Sequence, residues 1–233
     1  MQGYMNTELL QKINQIGKGG IVREGIFVRF PDLLPAVREH YWREDGRHRK
    51  LLFIGESNYF NDNDIPQSDF LDAELWYKGA EAKLIPENRK KDVNNDIGYK
   101  TFNKVFNIMG EVLDDNGITH LDGLGEAAFY NNFLRPAYNN GKTKGFRPQQ
   151  IDREVAGEAL VGIINCVNPD LVVFLSKLAF LSFENYLKSK SITFEDVRIE
   201  QVSHPSSPWW NRWNGVLGKA KLKDILRNYW VRH

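Results

Sequence analysis

Three separated clusters of polar residues carry groups that a hydrolytic site needs. Gly55-Glu56-Ser57-Asn58-Tyr59 offers a carboxylate, Asn131-Asn132 a pair of adjacent amides, and His204-Pro205-Ser206 an imidazole. A carboxylate can orient or deprotonate water, an amide can read a donor–acceptor edge, and an imidazole can stabilise a developing oxyanion. Taken singly, each has a plainer role. Glu56 alone reads as a solvated turn residue, the asparagines as turn formers, and His204 as a histidine bonded to backbone. The chemistry exists only if a fold brings the three together.

The apolar runs between these clusters predict such a fold. Leu51-Leu52-Phe53-Ile54 reads as a buried strand with Glu56 just past its end, and Ala127 to Tyr130 as a second one leading into Asn131 and Asn132. Leu171 to Leu175 is apolar on both faces, as a parallel strand should be. Val197 to Val202 gives a further strand, ending just before His204. Helical stripes separate the strands: Leu9, Leu10, Ile13 and Ile16; Phe102, Val105, Phe106, Met109, Val112 and Leu113; Ile151 to Val167; Ala179 to Lys188; and Val216 to Trp230. Asp32 is placed to cap another helix carrying Leu33, Leu34, Ala36, Val37, His40 and Tyr41. Strands alternating with helices predict a parallel sheet covered on both faces. In such sheets ligands bind outside the carboxyl ends of the strands, and all three clusters fall at that edge.

Between Asn61 and Gly98 the chain is polar and broken by Pro66, Gly79 and Pro86, with Trp76 and Tyr77 as an aromatic island. The stretch reads as a lid or an insertion. A second loop, Ala137 to Pro148, carries Lys142, Lys144 and Arg147.

With 233 residues, 42% of them hydrophobic and 26% charged, the sequence describes a folded chain, expected as a single domain over 1–233. A net charge of +1 means that affinity for a polyanion must come from local clusters of Lys and Arg. Cys166 is the only cysteine, which excludes an internal disulfide and any metal or iron–sulfur site built from several thiolates of this chain. A reducing cytoplasm is the expected setting. No apolar run reaches bilayer-spanning length, and Met1 to Gln15 lack a signal-peptide core, so no membrane partner is expected.

The order of the motifs resembles the uracil-DNA glycosylase superfamily. Gly55-Glu56-Ser57-Asn58-Tyr59-Phe60 is similar to its first motif, and Asn131-Asn132-Phe133-Leu134-Arg135-Pro136 to the segment supplying the base-reading Asn. Asn168-Pro169-Asp170-Leu171-Val172-Val173 is similar to the lead into its third strand, and Val202-Ser203-His204-Pro205-Ser206-Ser207-Pro208 to its DNA-facing turn. The resemblance runs from about Lys50 to Gly215. It implies a three-layer α/β/α sandwich around a short, mainly parallel sheet, a monomer without cofactor or metal, and hydrolysis of the N-glycosidic bond of uracil or a related damaged base flipped out of DNA. Under it, Glu56 orients water and His204 stabilises the departing anion. Gly55, Ser57, Tyr59 and Asn131 or Asn132 form the base pocket. Ser206, Trp209, Trp210 and Arg212 face the DNA, with Trp213 beside them, and Lys142 and Lys144 contact phosphate. The plainer reading of the tryptophans is packing under the C-terminal helix.

Two other readings remain open at this level. Gly55-Glu56-Ser57 faintly resembles the first turn of lipase-like serine esterases, with His204 as base, although Gln201 stands where that family carries Asp. Ser57 and Asn58 also replace residues common in the glycosylase motif, which admits a non-catalytic module binding DNA or a nucleotide-like ligand.

Overall fold

The computed structural model describes residues 6–43, 46–61, 72–79, 100–120, 125–139, 147–212 and 218–232. The chain opens with helix α1 (Thr7–Asn14), whose cap Asn6 accepts the Leu9 amide at 2.8 Å, and the single turn α2 (Ile26–Arg29). The predicted helix after Asp32 does not form. Pro31–Leu33 is one tight turn, Leu34 is extended before Pro35, and Ala36–Val37 is a short strand, β1. Pro35 explains the difference, because a proline ring disfavours helical geometry in the residue before it.

Strand β2 spans Leu51–Asn61, so it runs straight through Gly55, Glu56 and Ser57, where a turn was expected. Helix α3 (Ala73–Lys78) lies within the presumed excursion and corrects it in part. Asp72 caps it, Trp76 and Tyr77 are buried, and Trp76 stacks on Phe30 at 5.7 Å. The rest of the expected lid, 62–71 and 80–99, lies outside the described residues. Helix α4 (Lys100–Asp115) buries the whole predicted stripe from Phe102 to Leu113. Strand β3 (Ala128–Asn139) is longer than its apolar start suggested and carries both asparagines in its middle.

Helix α5 (Gln150–Val167) begins with reciprocal capping between Gln149 and Asp152 and ends at Asn168, whose φ of 48° is left-handed. It leads into the fully buried strand β4 (Leu171–Phe174), helix α6 (Lys177–Lys190) and strand β5 (Arg198–Gln201). Helix α7 (Lys219–Ile225) widens into a π-helical turn over Leu226–Trp230. Among the described residues no helix is long and apolar enough to cross a membrane.

Among the described residues the strands form one five-stranded sheet in the order β1-β3-β2-β4-β5, parallel except for the antiparallel edge strand β1. Alternation along β2 divides the core. Leu52 and Ile54 join the apolar cluster with residues of α1, α2, α3, α5 and α6, whereas Leu51 and Phe53 join α4, α7 and the C-terminal turn. The protein is therefore α/β, with helices against both faces of a mainly parallel sheet. At the amino ends of the strands, Glu126 is 1% exposed and holds His40 and His48 at 2.6 and 2.8 Å. The opposite, carboxyl edge carries the three polar clusters.

Candidate functional site

Glu56 emerges where its neighbours stop. Strand β4 pairs with β2 only as far as Ile54 and Phe174, and the chain then turns into α6 while β2 continues. Ser176, the N-cap of α6, accepts the Ala179 amide and donates its own hydroxyl to Glu56 Oε2 at 2.5 Å. One carboxylate oxygen is thus fixed by a buried hydroxyl, which orients the other. Sequence reasoning missed Ser176, although a serine between a buried strand and a helix is a recognisable cap.

The register separates the two asparagines. Gly55 pairs with Asn131 and Ser57 with Phe133, so Asn132 stands beside Glu56 on the same face, one strand spacing of about 4.8 Å away. Asn131 belongs to the other face, and its amide lies over Gly55. A Cβ at position 55 would sit 2.3 Å from Asn131 Oδ1 and 2.8 Å from the Phe129 ring, so only glycine fits there. Asn132 is 1% exposed, and neither its Oδ1 nor its Nδ2 has a hydrogen-bond partner among the described residues. Two residues earlier on that face, the buried Tyr130 hydroxyl is likewise unpartnered, and burial pushes its phenol up so that it stays neutral. Ser57 is buried, and its hydroxyl has no partner among the described residues.

An amide buried without partners costs about 1–3 kcal/mol. Asn132→Leu is therefore expected to leave stability unchanged or to raise it, as read from the midpoint of chemical unfolding. A loss above about 1 kcal/mol would mean that the amide has a structural task.

His204 follows β5 on a turn closed by its own backbone. Its Nδ1 accepts the Ser206 amide at 3.1 Å, and its carbonyl accepts the Ser207 amide at 2.8 Å. With Nδ1 occupied as an acceptor, the neutral ring carries its proton on Nε2 and is a donor there. Burial holds this imidazole below the usual histidine range. The Glu56 carboxylate pulls it up, and the Lys104 ammonium pushes it further down. Glu56 and His204 thus act on one another across the carboxyl edge of the sheet.

No protein-family model and no curated protein matches this chain. The arrangement of side chains is accordingly the ground for any functional reading.

The described structure thus brings Gly55, Glu56, Ser57, Asn131, Asn132 and His204 to one edge, with Asn132 on the Glu56 face. Tyr59 continues β2 beyond an irregularity in register, and its side chain lies outside what is described. Lys142, Lys144 and Trp213 also lie outside the described residues. The tryptophan expectation needs correction. Trp210 is 2% exposed and belongs to the core beside Leu222 and Trp230, since its backbone packs against Gly218 where a Cβ would lie 2.3 Å from the Trp210 carbonyl oxygen. Trp209 is 47% exposed, with the Arg212 guanidinium 3.8 Å from its ring centroid, and Ser206 is exposed nearby. Of the esterase pair, Ser57 has no bond to an imidazole among the described residues, and His204 Nδ1 is already taken by backbone.

Proposed function

We propose that this chain is a base-excising N-glycosidase of the uracil-DNA glycosylase kind, with a three-layer α/β/α architecture and a damaged or deaminated base in DNA as its substrate. The observation that carries the reading is the buried Asn132 amide beside Glu56, which has no partner among the described residues. An amide offers an acceptor and two donors, which matches a pyrimidine edge that presents N–H beside C=O. Burying an amide with both ends unpaired is costly for a protein alone and useful for selecting a ligand that pairs both.

The chemistry follows from the positions. Glu56, held through one oxygen by Ser176, orients a water toward the sugar carbon with the other. As the bond from C1′ to the base nitrogen breaks, its electron pair leaves with the base, and the neutral His204 Nε2–H donates to the oxygen on which the charge collects. Water then adds at C1′ and releases its proton to the Glu56 carboxylate. The exposed Trp209, backed by Arg212, supplies a stacking face and a positive charge for unpaired DNA. In this reading Asn131 supports Gly55, and Asn132 reads the base.

The test is a base-release assay on single- and double-stranded oligonucleotides containing uracil, hypoxanthine or xanthine. Release from at least one of them is expected. DNA binding without release from any would favour a non-catalytic module, and absence of both would remove the DNA reading altogether.

A further inference from the structure

Lys104 lies outside every motif in the sequence, yet it reaches the turn that carries His204. From α4 its ammonium donates to the Pro205 carbonyl at 2.7 Å, joining residues 101 positions apart. Pro205 has no amide hydrogen of its own, so the first N–H available to His204 Nδ1 is that of Ser206, at 3.1 Å. The turn has two anchors: Ser206 and Ser207 close it internally, and Lys104 ties it to a helix on the sheet face behind Phe53.

We propose that Lys104 is a positioning residue for His204, pinning the turn at Pro205 and keeping the imidazole neutral with its proton on Nε2. An imidazolium would need a proton on Nδ1 as well, which would break the Ser206 bond. It would also be drawn toward the Glu56 carboxylate, closing the space in which water and a scissile bond must fit. Burial opposes the charged ring, Glu56 on β2 favours it, and Lys104 on α4 adds to the opposition. The neutral donor is the form suited to an anion-leaving step, because its hydrogen bond strengthens as charge develops without an ion pair to break first. The functional half of this inference rests on the base-excision reading. The pinning of the turn does not.

The test is a nitrogen-15 NMR titration of His204 in the wild type, Lys104→Met and Lys104→Arg, with kcat and KM for base release measured on the same proteins. Lys104→Met is expected to raise the pH at which His204 titrates and to weaken the Nδ1-acceptor signature of the ring. Displacement of the turn should lower kcat on the order of 10²-fold with KM little changed. Lys104→Arg should restore both, since a guanidinium can keep the charge and the bond to Pro205. Lys104→Gln replaces the methionine variant if that protein folds poorly. A His204 titration unmoved in Lys104→Met, or moved equally in Lys104→Arg, would overturn the proposal. If the wild type releases no base, the base-excision reading fails by itself, and the titration still decides whether Lys104 governs His204.

Discussion

Glu56→Gln is expected to reduce base release by about 10²–10⁴-fold at neutral pH, measured in single turnover, while the protein remains folded. The substitution is nearly isosteric. Its carboxamide oxygen can still accept the Ser176 hydroxyl that now lies 2.5 Å from Oε2, so the packing around α6 should survive. What disappears is the negative charge, and with it the ability to take a proton from the attacking water. A second readout follows from the electrostatics. Glu56 pulls the His204 imidazole up, so its neutralisation should move the His204 titration further below the ordinary histidine value. Activity within a few-fold of the wild type, in a protein whose His204 titration has shifted as stated, would remove Glu56 from the chemistry.

Arg135→Met is expected to destabilise the fold by about 3–5 kcal/mol, the usual consequence of stranding one partner of a buried ion pair. Asp152 is fully buried. Its carboxylate accepts Arg135 Nε at 2.8 Å and Nη2 at 2.5 Å, the Tyr77 hydroxyl at 3.1 Å and the Gln149 amide at 2.7 Å. This cluster ties β3, three residues beyond Asn132, to the first turn of α5 and to α3. Removing the guanidinium leaves a carboxylate in the interior with neutral donors only. The double variant Arg135→Met/Asp152→Leu should recover much of the loss, because it removes the stranded charge as well. Chemical denaturation of the three proteins checks this. Equal losses in the single and double variants would show that the cluster acts through shape and not through charge.

How much of this was legible in the sequence depends on the range of the interaction. The stripe from Phe102 to Leu113 and the apolar run from Leu171 gave their elements directly, because periodicity is a local property. The helix expected over Leu33 to Tyr41 fails at Pro35, a local signal outweighed by the apolar spacing around it. Taken singly the asparagines read as turn formers, but tertiary pairing overrides that preference. They lie within β3 past the end of β1, where pairing with β2 supplies the ladder. Helix α3 was partly visible in Asp72 followed by Ala73, Trp76 and Tyr77, yet Pro66 and Gly79 obscured it. Glu56, His204 and the asparagine pair could be found by their chemistry and by the apolar runs that precede them. The choice of Asn132 over Asn131 required the register. Ser176 on Glu56 and Lys104 on Pro205 bridge 120 and 101 residues, distances over which one sequence carries no pattern.

The central place of β2 has a mechanical consequence. Glu56 and Asn132 ride on adjoining inner strands, so neither can shift without disturbing the ladder on which the sheet depends. His204 instead hangs beyond an edge strand, on a turn tied to α4 by the Lys104 side chain and not by strand pairing. The candidate site therefore resembles a vice with one fixed jaw and one adjustable jaw. Small rearrangements should fall on the His204 side, over nanoseconds to microseconds, while the opposing pair keeps its spacing until the sheet itself opens.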